Sequence, residues 1–393
     1  MGRVSTAQAQ ANRVSTLELF FDLVFVFTIT QLTTVLVKAP TWRGLAQVVL
    51  MLGVIFWMYG GYAWLTNAVA PDRASRRLLL LGGMGAYLIL ALAIPRAFGD
   101  TGTAFGLAYL AVVSVHIGLF AWATSTRTLR SLITLAPLNF VSALLVLAGG
   151  IAGGTAQYVL WGLAFLLEWS TPKLINDEGF EIGPAHFVER HGLVVIVAIG
   201  ESIVAIGIGA AGLSIDAALV GVALFGLALS ACLWWTYFGG DDERAERALA
   251  DTPPALRPRM AVNAFGYWHL PILFGVIAIA AGEKKAIGHA SDPLTTAQAL
   301  QLAGGVAVFM VGDVLFRRSL GIARGGWRAA AAVLALATIP LATELSAFVQ
   351  LSVLVAVLGG ALLAEYAVAR PDPARLSPPR VRATPVGERS GRS

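Results

Sequence analysis

Seven ionisable side chains in this sequence stand inside or at the mouth of long apolar runs: Glu18, Asp22, His116, Glu189, His191, Glu201 and His269. A charge at the centre of a bilayer costs about 2.5–3.5 kcal/mol on insertion scales. Such a residue persists where it faces protein or water, and it is a functional candidate by default. Carboxylates there can take up and release protons or cations, and histidines can pass protons on. Glu201 lies in GLVVIVAIGESIVAIGIGAAG, with Glu189, Arg190 and His191 before it. Arg190 and Glu201 are about three helical turns apart, so they share a helix face roughly 16 Å apart along the axis. Gly200, Gly207 and Gly209 offer a surface against which another helix can sit close. Glu201 reads as an ion- or proton-binding carboxylate, or as a protonated side chain bonded between helices.

Glu18 and Asp22 stand one turn apart in STLELFFDLVFVF. They form a carboxylate pair on one face, or they complement the positive end of the helix dipole. His116 and His269 are mid-run histidines, and His269 precedes Pro271 by two residues, where a broken helix frees a backbone carbonyl. Each reads as a proton relay or as a buried, neutral, hydrogen-bonded ring. Glu168, Asp313 and Glu365 fall near run ends, where interfacial anchoring is the expectation, as it is for the aromatic residues of FWMYGGYAW and LWWTYF.

The runs that position these residues are the main feature of the chain. Of 393 residues, 57% are hydrophobic and 13% charged, with a mean hydropathy of +0.74. Soluble domains carry about 25% charge. Runs of roughly 20 apolar residues cross the hydrocarbon core. They fall near 17–38, 45–68, 77–95, 102–124, 129–150, 154–169, 187–211, 217–239, 260–281, 296–316, 326–343 and 347–369. The expectation is an all-α polytopic membrane protein of about twelve transmembrane helices with an uncleaved first span. LELFFDLVFVFTIT sits over VERHGLVVIVAIGE, WMYGG over WTYFG, and Leu119-Phe120 over Leu315-Phe316, all in the same order. That order predicts two parallel six-span halves, 17–170 and 186–370, related about the membrane normal. They are flanked by a short segment, 1–16, and a disordered proline- and arginine-rich tail, 371–393.

If the N-terminus is cytoplasmic, 22 of the 28 Lys and Arg fall on the inside and five on the outside. This distribution places both termini in the cytoplasm. The net charge of +5 is explained by these loops and gives no sign of nucleic-acid binding. Cys232 is the single cysteine, so no disulfide framework and no Cys/His metal spacing exists. There is no phosphate loop, nucleophile elbow, zinc-protease motif or dinucleotide fingerprint, so neither an enzyme nor a cofactor is expected. The expected partners are the lipid bilayer and a small solute or ion.

STLELFFDLVFVFTITQLTTVL and HFVERHGLVVIVAIGESIVAIG together resemble the bacterial low temperature requirement protein A family, and the resemblance extends from residue 12 to about 370. It implies a membrane protein and brings no catalytic residue with it. Phe20-Phe21-Asp22-Leu23-Val24-Phe25 with Ile29-Thr30 is also similar to the pore-lining first helix of endolysosomal and bacterial potassium channels built on six-span units. Phe21 stands in place of that helix's serine, and Leu193 in place of the second aspartate. Three functions follow: a secondary transporter or permease using intramembrane carboxylates, a cation channel, or a membrane structural or adaptor protein. The topology is tested with a membrane-impermeant thiol reagent on whole cells. Ala39→Cys and Ala290→Cys should label, and Ser75→Cys and Arg247→Cys should label only after permeabilisation. Outside labelling within 241–259 contradicts the twelve-span arrangement.

Overall fold

The computed structural model describes residues 14–68, 73–121, 126–174, 182–322 and 325–369. The tail and most of the N-terminal segment lie outside these residues. The described residues form helices and no strand. In lipid a helix satisfies its own backbone hydrogen bonds, which is why apolar runs of this length fold this way. The first half comprises α1 (Thr16–Lys38), α2 (Trp42–Ala68), α3 (Ala74–Ala93), α4 (Gly102–Ala121), α5 (Thr126–Ala152) and α6 (Gly154–Leu174). After it come α7 (Pro184–Gly209), α8 (Ala217–Phe238) and the amphipathic α9 (Asp241–Asp251). The chain continues through α10 (Arg257–Ala261), a π-helical turn (Val262–Tyr267) and α11 (His269–Gly288). It ends with α12 (Thr296–Leu320), α13 (Gly326–Leu336), α14 (Ile339–Glu344) and α15 (Ala347–Ala369).

Eleven helices among the described residues are long and apolar enough to cross a membrane. The difference from twelve falls on the expected sixth run. It does form α6, with 21 residues, but Gln157, Glu168 and Lys173 make it more polar than the rest. α6 nonetheless traverses the bundle. Tyr158 lies beside Arg43 and Gln47 at one end, and Trp169 beside Trp57 and Tyr267 at the other. The expected eleventh run is broken near Pro340 into α13 and α14. The segment after α8, expected to be a loop, folds instead into α9, whose acidic first turn suits a helix N-terminus.

The distribution of polarity is that of a protein solvated by lipid. Leu88, Ile89, Leu92, Ile203, Val204, Val333 and Leu334 are exposed on the bundle surface, while Asp22, Arg190, Glu283, Asp313 and Arg317 are buried. Neighbouring helices follow one cycle in each half. α1 packs on α2 and α3, α3 on α4, α4 on α5, α5 on α6, and α6 back on α2. Likewise α7 packs on α8 and α11, α11 on α12, α12 on α13, α13 on α15, and α15 back on α8. The halves meet where α1 and α2 lie against α7 and α11.

Glycine allows close approach between α11 and α12. A Cβ at Gly275 would stand 2.7 Å from the Gly305 carbonyl oxygen, and one at Gly305 would stand 2.8 Å from the Gly275 carbonyl oxygen. α11 and α12 therefore touch backbone to backbone, as small residues permit in bilayers. Gly275→Val should lower the unfolding temperature of the purified protein, an overpacking cost of about 1–3 kcal/mol. Gly85→Ala, where a Cβ meets nothing within 4 Å, should leave it unchanged. Equal melting of the two variants would contradict this contact.

Candidate functional site

α1 and α7 run parallel and are joined by three polar rungs. At the first, Glu18 Oε1 lies 3.1 Å from His186 Nε2. Ser15 and Glu18 also form a capping box, so this carboxylate both starts α1 and reaches α7. At the second, Arg190 Nη2 contacts Asp22 Oδ1 at 3.0 Å, both side chains being at most 2% exposed. The Tyr59 hydroxyl from α2 lies 3.0 Å from the same Asp22 oxygen and 3.1 Å from the Arg190 carbonyl. The guanidinium sits over the rings of Tyr59 and Phe21, 5.8 and 6.0 Å from their centroids, which supplies cation–π attraction where water is absent. At the third, Thr30 Oγ1 donates to Glu201 Oε2 at 2.5 Å.

Beside the second rung lie two buried histidines. His191 Nδ1 is 2.9 Å from the Phe187 carbonyl and His269 Nδ1 is 3.1 Å from the Ala264 carbonyl. A carbonyl only accepts, so Nδ1 carries the hydrogen in each ring and His269 Nε2 accepts from the Tyr237 hydroxyl at 2.8 Å. The two imidazole centroids are 5.5 Å apart. The carbonyl of Ala264 belongs to the π-helical turn, a distortion common at functional sites. The sequence pointed to a freed carbonyl near Pro271, and the structure supplies one five residues before His269. At the same end of the bundle, Trp57, Trp64, Trp169, Asn139, His116 and His191 line a cavity of about 120 Å³.

The remaining buried charges brace each half. Arg328 Nη1 contacts Asp313 Oδ2 at 2.6 Å and Asp241 Oδ2 at 2.9 Å, and its Nε donates to Glu365 at 3.0 Å. Arg317 joins Asp241 at 3.1 Å and also pairs with Glu365. This network ties the α8–α9 junction to α12, α13 and α15, with Asp313 fully buried and Glu365 partly exposed at its edge. In the first half, Tyr109 and Ser142 each donate to Glu168 Oε1 at 2.5 Å, which ties α4 and α5 to α6.

The structure gathers Glu18, Asp22, His191 and His269 at one end of the seam and sets Glu201 farther along it. Glu18 and Asp22 do not share a proton-bridged pair, because each faces its own partner on α7. The partner of Glu201 is Thr30, where the sequence left His116, His269 and Asp22 as candidates. His116 stands apart in the cavity wall, with its ring against Gly61 of α2. Glu189 is exposed and accepts from the Val14 backbone at 3.3 Å. Sequence reasoning passed over Glu283. It follows a 22-residue apolar run and precedes Lys284 and Lys285, so it read as a loop residue, yet α11 continues to Gly288 and buries it completely.

Lipid-facing apolar surface around a core of paired charges defines a multi-pass α-helical membrane protein. Residues 13–363 match the family described as bacterial low temperature requirement A protein, and the chain belongs to that family. It is 30% identical over 315 residues to an uncharacterized protein of Rhizobium meliloti (strain 1021), an overlap of 77% of this chain and 76% of that one. No solved structure matches.

Removing one member of a buried ion pair leaves a charge uncompensated, at about 3–5 kcal/mol. Arg328→Met strands Asp313, which Arg317 does not contact, and should sharply reduce the yield of monodisperse protein. Arg247→Met, on the exposed face of α9, should not. Normal yield and melting of Arg328→Met would contradict the network.

Proposed function

We propose that this protein is a secondary transporter of the bacterial plasma membrane, with twelve spans in two parallel six-helix halves and both termini cytoplasmic. It moves a small solute or ion by using intramembrane carboxylates. The observation that carries this reading is the polar seam between the halves. Ionisable residues inside a membrane are costly and functional candidates by default, and this seam holds Glu18–His186, Asp22–Arg190 and Thr30–Glu201. Twelve spans are supported by the parallel run of α1 and α7. Five crossings after the N-terminus would deliver α7 from the opposite end, and α6, about 31 Å long at 1.5 Å per residue, brings the chain back. The repeat is supported by the matching order of helix neighbours in the two halves.

In this mechanism Glu201 exchanges a proton or cation as the halves rock along the seam, and the Asp22–Arg190 pair closes the end nearest the termini. The histidines beside it offer a proton route to that end. The similarity of α1 to a channel's pore-lining helix favours conduction instead, but Asp22 is sealed by Arg190 and Tyr59, which favours the transporter.

The test uses proteoliposomes loaded with a pH-sensitive dye and challenged with a panel of small solutes. A transporter gives saturable, solute-dependent proton movement in the intact protein. Glu201→Gln keeps the shape of the side chain and should fold normally but lose that movement. A folded Gln variant with unchanged flux would make Glu201 a structural tie. Single-channel currents in planar bilayers would replace the transporter with the channel.

A further inference from the structure

We propose that Glu283, with Ser202 beside it, is a proton-binding carboxyl site between α7, α8 and α11, and that protons are the ions which the transporter reading needs. This deepens that reading and rests on it for its physiological meaning, but the site itself is defined by geometry. Glu283 is 0% exposed, and no Lys, Arg or His forms an ion pair with it among the described residues. Ser202, also fully buried, stands within hydrogen-bonding reach of its carboxyl. Gly226 of α8 leaves the room. A Cβ there would lie 3.5 Å from Glu283 Oε1 and 2.8 Å from Ile206 Cδ1. Ser202, Gly226 and Ile206 thus stand around the carboxyl.

The chemistry of such a pocket is restrictive. An ionised carboxylate buried without a countercharge is heavily disfavoured. A dehydrated metal cation needs a shell of several oxygens, and a proton needs none. It neutralises the carboxyl, and the resulting O–H can donate to Ser202 Oγ. The charged and titratable groups nearby are accounted for elsewhere. Glu201, one residue before Ser202, is bonded to Thr30. Lys284, next to Glu283 on α11, lies within electrostatic reach of Glu201. On α12, Gln301 uses its amide nitrogen on the Leu36 carbonyl. Lys38 ends α1 in an exposed position. Release of the proton requires the pocket to open, and Glu283 lies on α11, the helix that packs on α7 within its own half and on α1 across the seam.

Dicyclohexylcarbodiimide, an apolar reagent that attacks protonated carboxyls, tests the site without any transport substrate. The purified full-length protein is treated across a pH series, with sodium, potassium or choline chloride at equal ionic strength, and adducts are mapped by mass spectrometry. The expected result is an adduct at Glu283 that increases as pH falls, is indifferent to the choice of cation, and is lost in Glu283→Gln. Ser202→Ala should retain the adduct and shift its pH profile. Protection by sodium or potassium would overturn the proposal in favour of a metal-cation site. A pH-independent adduct would make Glu283 a permanently neutral structural carboxyl. No adduct at Glu283 while other carboxyls react would place the site out of reach of any proton path. Flux in proteoliposomes is scored separately, so loss of the transporter reading and loss of this site are distinguishable.

Discussion

The pairing of Asp22 with Arg190 constrains everything around it. Neither charge can be left alone in a buried interior, so while the pair is formed α1 and α7 stand at one separation and in one register. That register fixes the other two rungs, because Glu18 lies one turn before Asp22, and Thr30 and Glu201 follow on the same faces. Tyr59 completes the coordination from α2 and brings a third helix to the seam. The aromatic rings of Phe21 and Tyr59 replace water around the guanidinium. The central contact between the halves therefore depends on two charges and is specific to one alignment.

Away from the seam a different force dominates. With lipid outside, burying leucine gains little, and the helices come together through close packing and internal polar bonds. Gly275 and Gly305 let α11 and α12 meet backbone to backbone. Glu168 and the Arg317–Arg328 network bind the outer helices of each half. Helices within 16–174 and within 184–369 are thus cross-braced, while the seam between α1 and α7 is held by ionisable and hydroxyl groups.

Much of this was legible in the sequence because lipid leaves a simple signature. Apolar runs near 20 residues gave the helices, and a carboxylate within such a run marked Glu201 and Asp22. The family was legible in the two motifs that contain them. Partnership was not legible, since the register of α1 on α7 depends on packing between segments about 170 residues apart. The sequence put Arg190 at a span edge with no partner and left Glu201 without Thr30. Glu283 was hidden by the two lysines after it, which read as the start of a loop although the helix continues. α6 read as a short run of 154–169, and Gln157 and Glu168, which lower its hydropathy, are buried inside the first half. Asp313 and Glu365 lie near helix ends, where anchoring and burial look alike in one dimension.

The central claim is that a specific buried charge pair holds the two halves together at the seam, and a double-mutant cycle on Asp22 and Arg190 tests it most directly. Thermal unfolding of the purified protein is compared for Asp22→Ala, Arg190→Ala and the double variant. The account predicts that each single variant loses about 3–5 kcal/mol, because it strands the other charge, and that the double variant loses no more than either single one. Additive losses, agreeing within about 0.5 kcal/mol, would mean that the two residues act independently and would contradict the account.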